Sequence, residues 1–297
     1  MELDYGARSD TGCVRENNED SYRASPEMKL FVLSDGMGGL ECGEVASRVA
    51  VDTIVEHCRR ADSNSALPLS GGHMNGVSET TNRLASAVRV ANAAVHAVAQ
   101  ASAPGKAMGA TVVAVRFAGE RMSLAHVGDS RAYRLRGEDF EQLTCDHSFV
   151  AEQMRQGRMT VEQAGSSPLQ NVLVRALGID AAVDVDVSEE LVLETDTLLL
   201  CTDGVTRELS DAQITRVLRE TEEAQEAADR VVELAKQAGG GDNITVIVVR
   251  PAARPVGAFG RLGKWFRESA WQKTATWTNG NNVWSAVGVL RPSFSEG

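Results

Sequence analysis

Four aspartates stand at the ends of apolar runs, and three of them are followed by glycine or asparagine. Leu30-Phe31-Val32-Leu33 leads to Asp35-Gly36, and Leu124-Ala125-His126-Val127 leads to Gly128-Asp129. Leu198-Leu199-Leu200-Cys201 leads to Asp203-Gly204. The last case is inverted, with Asp242-Asn243 preceding the run from Ile244 to Val249. A single Asp-Gly is a turn signal. Several carboxylates brought to neighbouring strand ends repel one another unless a cation neutralises them. Oxygen-only donors with several waters suit magnesium or manganese rather than zinc. Two such ions sharing a water lower its pKa and supply hydroxide at neutral pH for in-line attack on phosphorus.

A phosphoryl group also needs a cationic clamp. Arg15 opens the string Arg15-Glu16-Asn17-Asn18-Glu19-Asp20, beside two further acids. Its guanidinium forks onto phosphate oxygens better than a lysine does. The plainer reading of Arg15 is a surface ion pair with Glu19. His147 reads as a loop histidine held by hydrogen bonds, and His126, inside an apolar run, as a core histidine. Neither is expected to bind metal.

The elements that must carry these groups follow from periodicity. Strand-like runs cover 29–34, 110–117, 121–127, 131–136, 191–201 and 244–250. Between them lie helix patterns: Val51, Ile54, Val55 and Cys58; Leu84, Val88, Ala91, Val95 and Val98; then Ile214, Val217 and Leu218 after a Ser210 cap; then Ala224, Ala227, Ala228, Val231 and Ala235. Clustered strands separated by paired helices predict antiparallel sheets covered by helices, not a doubly wound parallel sheet. Residues 61–82 read as a long loop, and 148–176 carry a short helix signal followed by a Thr160/Gln163 capping box.

Bulk properties narrow the partners. The chain has 297 residues and a net charge of −11, from 30 basic and 41 acidic residues. Residues 251–297 hold six of the basic and two of the acidic residues, which leaves 24 and 39 before them, a net of −15. An acidic body argues against nucleic acid as a partner. The acidic N-terminus lacks the pattern of a secretory signal, and the five scattered cysteines read as reduced thiols, so a cytoplasmic protein is expected. Beyond Pro251 lie all four tryptophans, in a basic tail whose composition predicts a flexible segment. The sharper alternative is a segment that docks on a partner or a membrane surface.

The strings RENNEDSY, LSDGMGG, GATVVAV, HVGDSRAYRLR, LTCDHSFV, LVRALG, LLLCTDGVT and GGGDNITVIVV occur in one order along residues 4–250. This series resembles the metal-dependent type 2C serine/threonine protein phosphatases, in their compact bacterial form. The resemblance implies an α+β fold: a four-layer α-β-β-α sandwich, two central antiparallel sheets flanked by antiparallel helices. It implies two manganese or magnesium ions per subunit, with a weaker third. Carried over by position, Asp35 would bridge both metals and the Gly36 carbonyl would bind one. Asp203 and Asp242 would complete the first metal's ligands, with Glu19 and Asp20 in support, partly through water. Arg15 would hold the phosphate and Asp129 would help to bind the third metal. Residues 1–250 would be the catalytic domain, and 148–176 the mobile flap that helps select substrate. The implied partners are phosphorylated proteins, a Ser/Thr kinase and its substrates, met by a monomer.

One position departs from the pattern. Many eukaryotic members place His after Asp-Gly, a candidate acid for the leaving oxygen; here the residue is Met37. Methionine has no proton to donate, which would leave that role to water at the metals. Two other readings stay open: a two-metal hydrolase of small phosphoesters, and a catalytically inactive relative that only binds.

Overall fold

The computed structural model describes residues 1–38, 42–102 and 108–252. Eleven strands run in chain order as β1 (Glu2–Asp10), β2 (Asp20–Ser25), β3 (Leu30–Met37), β4 (Gly109–Ala110), β5 (Val112–Ala118), β6 (Arg121–Val127), β7 (Arg131–Arg136), β8 (Asp139–Gln142), β9 (Asp186–Leu191), β10 (Thr197–Cys201) and β11 (Ile244–Ala252). Among the described residues seven helices join them: α1 (Cys42–Ser63), α2 (Glu79–Ser102), α3 (Phe149–Arg155), α4 (Val161–Gly165), α5 (Asp203–Thr206), α6 (Asp211–Glu220) and α7 (Ala224–Ala238).

The strands form two antiparallel sheets, ordered β1-β11-β10-β7-β8 and β2-β3-β5-β6-β9, with β4 paired to β3. Three apolar layers hold the sandwich. Val51, Ile54 and Cys58 of α1 and Leu84, Val88 and Val95 of α2 are buried against Leu30, Val32 and Ala114 of one sheet. Ile214 and Val217 of α6 and Val231 of α7 pack on Leu199, Val246 and Val248 of the other. Between the sheets lie Phe31, Leu33, Val113, Leu198, Leu200 and Ile247. Period-2 alternation along β3, β10 and β11 sends successive side chains to the two layers, so each strand is apolar throughout. This is the expected four-layer α-β-β-α arrangement.

Four strands are not foreshadowed by apolar runs: β1, β2, β8 and β9. All lie at sheet edges, where one flank faces solvent and polar residues are tolerated. Their pairing is decided by the partner strand, as in the register from Glu2↔Ala252 to Asp10↔Ile244. Only the second half of the expected strand over 191–201 forms, as β10. β9 ends at Leu191, where that run begins, and pairs with β6, whereas β10 pairs with β7 in the other sheet. The crossing is made by a tight turn, in which Asp196 N–H donates to the Leu193 carbonyl and Leu193 N–H to the Asp196 carboxylate (3.1 and 2.8 Å). The expected long loop is shorter, because α1 runs on to Ser63 and α2 starts at Glu79. The tail lies, from residue 253 on, outside the described residues. No described helix is long and apolar enough to cross a membrane.

Gly6 lets helix α7 lie directly on β1. A Cβ there would stand 2.2 Å from Gln225 Cα and 2.4 Å from the Ala224 carbonyl carbon. Backbone cannot yield as a side chain can, so Gly6→Ala is expected to destabilise the fold by about 1–3 kcal/mol. Chemical denaturation checks this; unchanged stability would mean that α7 stands away from β1 in solution.

Candidate metal centre

The strand-end acids converge at one end of the sandwich. Asp35 leaves β3, Asp129 sits in the β6–β7 turn, Asp203 begins α5, and Asp242 precedes β11. Edge strand β2 adds Asp20 directly opposite Asp35, and Glu19 just before it. Like charges facing each other across an antiparallel pair are destabilising. Glu19, Asp35, Asp129, Asp203 and Asp242 line a cleft of about 470 Å³ that also admits Arg15 and Met37, with Asp20 buried beside Asp35.

Uncharged neighbours fix the Asp20 carboxylate and the Asp35 backbone. Thr202 and Thr245 hydroxyls donate to one oxygen of Asp20 (3.0 and 2.6 Å), while its other oxygen is buried without a partner. Asp203 Oδ1 is likewise buried and unpartnered. Asp35 is held by its backbone: its N–H donates to Thr111 Oγ1 (3.0 Å) and its carbonyl accepts from Thr111 N–H (2.8 Å). Asn243 ties the approach loop to the centre, accepting from Glu19 N–H (2.8 Å) and donating to the Thr11 and Asn17 carbonyls. Gly36 permits the approach of α1, since a Cβ there would lie 2.0 Å from the Gly43 carbonyl oxygen.

The electrostatics are those of a site short of positive charge. Burial, then the charges of Asp20, Asp203, Asp129 and Asp242, raises the Asp35 carboxyl well above the usual range. Burial pushes Asp20 up to about 7, reinforced by Asp203 and Asp242. Burial with repulsion from Asp203 and Asp146 brings Asp129 to about 7. Asp203 and Glu19 are also raised, mainly by burial. Buried carboxylate oxygens without donors, on groups that resist ionising alone, fit a hard divalent cation bound through oxygen. The donor set contains no thiolate or imidazole, which fits magnesium or manganese better than zinc.

Arg15 lies at the rim, half exposed, and donates to Asp242 Oδ2 at 2.9 Å. Its ion-pair partner is thus Asp242, 227 positions away, not Glu19. A second guanidinium was not anticipated. Arg207, four residues after Asp203, bridges Asp203 and Asp242, the latter at 3.0 Å. The i, i+4 spacing from Asp203 was the one signal of it.

His147 is 2% exposed and braces the turn that carries Asp129. Its Nδ1 accepts from Gly128 N–H (3.0 Å), and its backbone N–H donates to the Gly128 carbonyl (2.9 Å). Burial, then the neighbouring His126 ring, pushes His147 down to about 4. Gly128 has φ +106°, and a Cβ there would strike Thr111, so the turn requires glycine. His126 is buried in β6 and stacks on His147 with centroids 4.8 Å apart. Ligand atoms of His126, His147 and Asp186 lie within 4.8 Å of one another. With Nδ1 accepting, His147 Nε2–H faces Asp186 Oδ2 (3.2 Å), and Arg175 donates to the other Asp186 oxygen (2.5 Å), so the gap already holds a cation.

Residues 148–176 carry α3 and α4 beside the cleft, with the Thr160/Gln163 capping box closed in both directions. Asn171 and Leu173 of this segment reach the cleft itself.

A four-layer sandwich with oxygen donors gathered at one end defines a class of fold suited to binding cations, and comparison with known proteins gives the particular family. Residues 14–237 match the family model for Protein phosphatase 2C. The chain is 39% identical over 246 residues to the serine/threonine protein phosphatase PstP of Mycobacterium tuberculosis, spanning 83% of this chain and 44% of that protein. It is 33% identical over 245 residues to the serine/threonine phosphatase stp of Listeria innocua, spanning 82% of this chain and 93% of that one. The crystal structure of Mycobacterium tuberculosis PstP/Ppp superposes with a TM-score of 0.74 at 37% identity, covering 85% of this chain and 100% of that one. The PstP catalytic domain in complex with two manganese ions gives 0.71 at 36% identity, covering 84% and 99%. This chain belongs to the protein phosphatase 2C family.

Proposed function

We propose that the chain is a metal-dependent protein phosphatase that hydrolyses phosphoserine and phosphothreonine, reversing a Ser/Thr kinase in the cytoplasm. Residues 1–250 are the catalytic unit and 148–176 the flap, with no nucleic acid among the partners. The observation that carries this reading is the buried, unpartnered carboxylate oxygen of Asp203 in a cleft rimmed by Arg15, with a second such oxygen on Asp20 opposite Asp35.

Asp35, the Gly36 carbonyl, Asp203 and Asp242 would hold two manganese or magnesium ions, supported by Glu19 and Asp20, with Asp129 at a weaker third. Bound there, the ions supply Lewis acidity and activate water for attack on phosphorus. Arg15, free on one side to solvent, orients the phosphate by a forked contact. Thr202 and Thr245 hold the Asp20 carboxylate still, so that its open oxygen keeps its direction. Asn243 keeps the Arg15 loop against the cleft.

Purified protein is expected to release phosphate from a phosphothreonine peptide with manganese and to stop when a chelator is added. Preference for nucleotides or small phosphoesters over phosphopeptides would favour a different hydrolase, and inactivity of the folded, manganese-loaded protein would favour a binding relative.

Met37 lines the cleft where an acid could serve the leaving oxygen. Met37→His is expected to add a limb to the pH–rate profile near the ordinary histidine pKa of about 6.5. A profile identical to wild type would remove this position from proton transfer.

A further inference from the structure

Arg207 occupies an unusual place. It ends the one-turn helix α5 that Asp203 begins, its N–H donating to the Asp203 carbonyl at 2.9 Å. That turn folds the side chain back over the centre. One terminal nitrogen meets Asp203 Oδ2, and the other meets Asp242 Oδ2 at 3.0 Å. Arg15 reaches the same Asp242 oxygen at 2.9 Å. Asp129 lies near enough for the charge of Arg207 to favour its ionised form against burial. The charged groups around this guanidinium are therefore Asp203, Asp242, Asp129 and Arg15. Acids that repel one another are given a monovalent cation by the chain itself, on two of the carboxylates proposed to bind metal.

We infer that Arg207 is a built-in counter-cation of these carboxylates, and that divalent cations must displace it from Asp203 and Asp242 in order to bind. This rests on the reading of the cleft as a metal centre. The guanidinium satisfies Asp203 only in part, because Asp203 Oδ1 stays buried without a donor. A divalent ion offers twice the charge and a shorter approach to the same carboxylates, so exchange is favourable but costs the Arg207 contacts. Space for the displaced side chain exists. Arg207 also lines an adjoining groove of about 530 Å³ between the centre and α3–α4, beside Thr206 and Asn171. The consequence is a protein that tolerates the loss of its metal, at the expense of affinity for it.

The test is manganese titration by calorimetry on chelator-stripped protein, together with the melting temperature in chelator, for wild type, Arg207→Gln and Arg207→Lys. Removing a unit positive charge from the ligand oxygens is expected to tighten manganese binding by roughly tenfold in Arg207→Gln. The same variant is expected to melt lower than wild type without metal and to gain more on metal addition. Arg207→Lys keeps a charge but loses the fork, and should bind manganese more tightly than wild type by a smaller factor. If the Gln variant does not survive stripping, the Lys variant decides the matter. Manganese affinity equal to or weaker than wild type in a folded variant overturns the inference. Wild-type protein that binds no manganese would instead overturn the metal reading beneath it.

Discussion

Asp35→Asn is expected to lower turnover on a phosphothreonine peptide by on the order of a thousandfold or more, while raising the melting temperature of the metal-free protein. The two effects have one cause. Asp35 is buried, faces Asp20 across the β2–β3 pair, and is repelled by Asp203, Asp129 and Asp242. Its backbone, not its carboxylate, makes the hydrogen bonds to Thr111 that fix it, so an amide of the same shape leaves the turn in place. What the amide lacks is the charge. Without metal, the folded chain must either carry that charge against its neighbours or take up a proton to remove it, and the amide avoids both costs, at roughly 2–4 °C per kcal/mol in a protein of this size. With metal, the carboxylate is the anionic donor proposed to bridge two ions. Kinetics, manganese calorimetry and melting in chelator read all three consequences. Unchanged turnover and manganese affinity would remove Asp35 from the centre; a lower metal-free melting temperature would show that its carboxylate stabilises the fold.

Metal-free stability is expected to fall as pH rises from about 4 to about 7, and manganese should reverse that trend. Asp20 and Asp129 are pushed to about 7, and Asp35 is raised well above its ordinary value, by burial first and by neighbouring charges second. At pH below the ordinary carboxylate value these groups are protonated in both folded and unfolded chains, and their contribution to stability is complete. As pH rises the unfolded chain ionises first while the folded centre retains its protons. The folded state then binds more protons than the unfolded one, and each such group removes up to about 1.4 kcal/mol of stability per pH unit. The loss ends when the folded groups ionise in turn. A bound divalent cation makes the ionised form the favoured one, so the stabilisation by manganese should grow across the same window. Urea denaturation between about pH 5 and pH 8, with chelator and with manganese, measures both slopes. Metal-free stability that is flat or rising over this range would mean that the acids ionise independently.

These acids also show how far the sequence reaches. The inner strands β3, β5, β6, β10 and β11 were legible because burial on both faces makes them continuously apolar. The helices α1, α2, α6 and α7 were legible because a single buried face repeats at the helical period. The edge strands β1, β2, β8 and β9 were not, because half-solvated pairing leaves no apolar signature. The run from 191 to 201 misled for a related reason: local β propensity does not record that the chain passes from one sheet to the other at Leu193–Asp196.

Within the centre the same division holds. The sequence by itself determined which chemical groups the protein owns: carboxylates at the ends of apolar runs, glycines beside them, one arginine in an acidic string, and a methionine after Asp35-Gly36. Only the tertiary structure decided their company. It set Asp20 against Asp35, gave Arg15 to Asp242 rather than to Glu19, closed Arg207 over Asp203 and Asp242, and put His147 behind the turn of Asp129. The physical reason is that backbone preference is set by the nearest few residues, whereas charge repulsion and hydrogen bonding depend on distance through space. Arg15 and Asp242 are 227 positions apart in the chain and 2.9 Å apart in the fold.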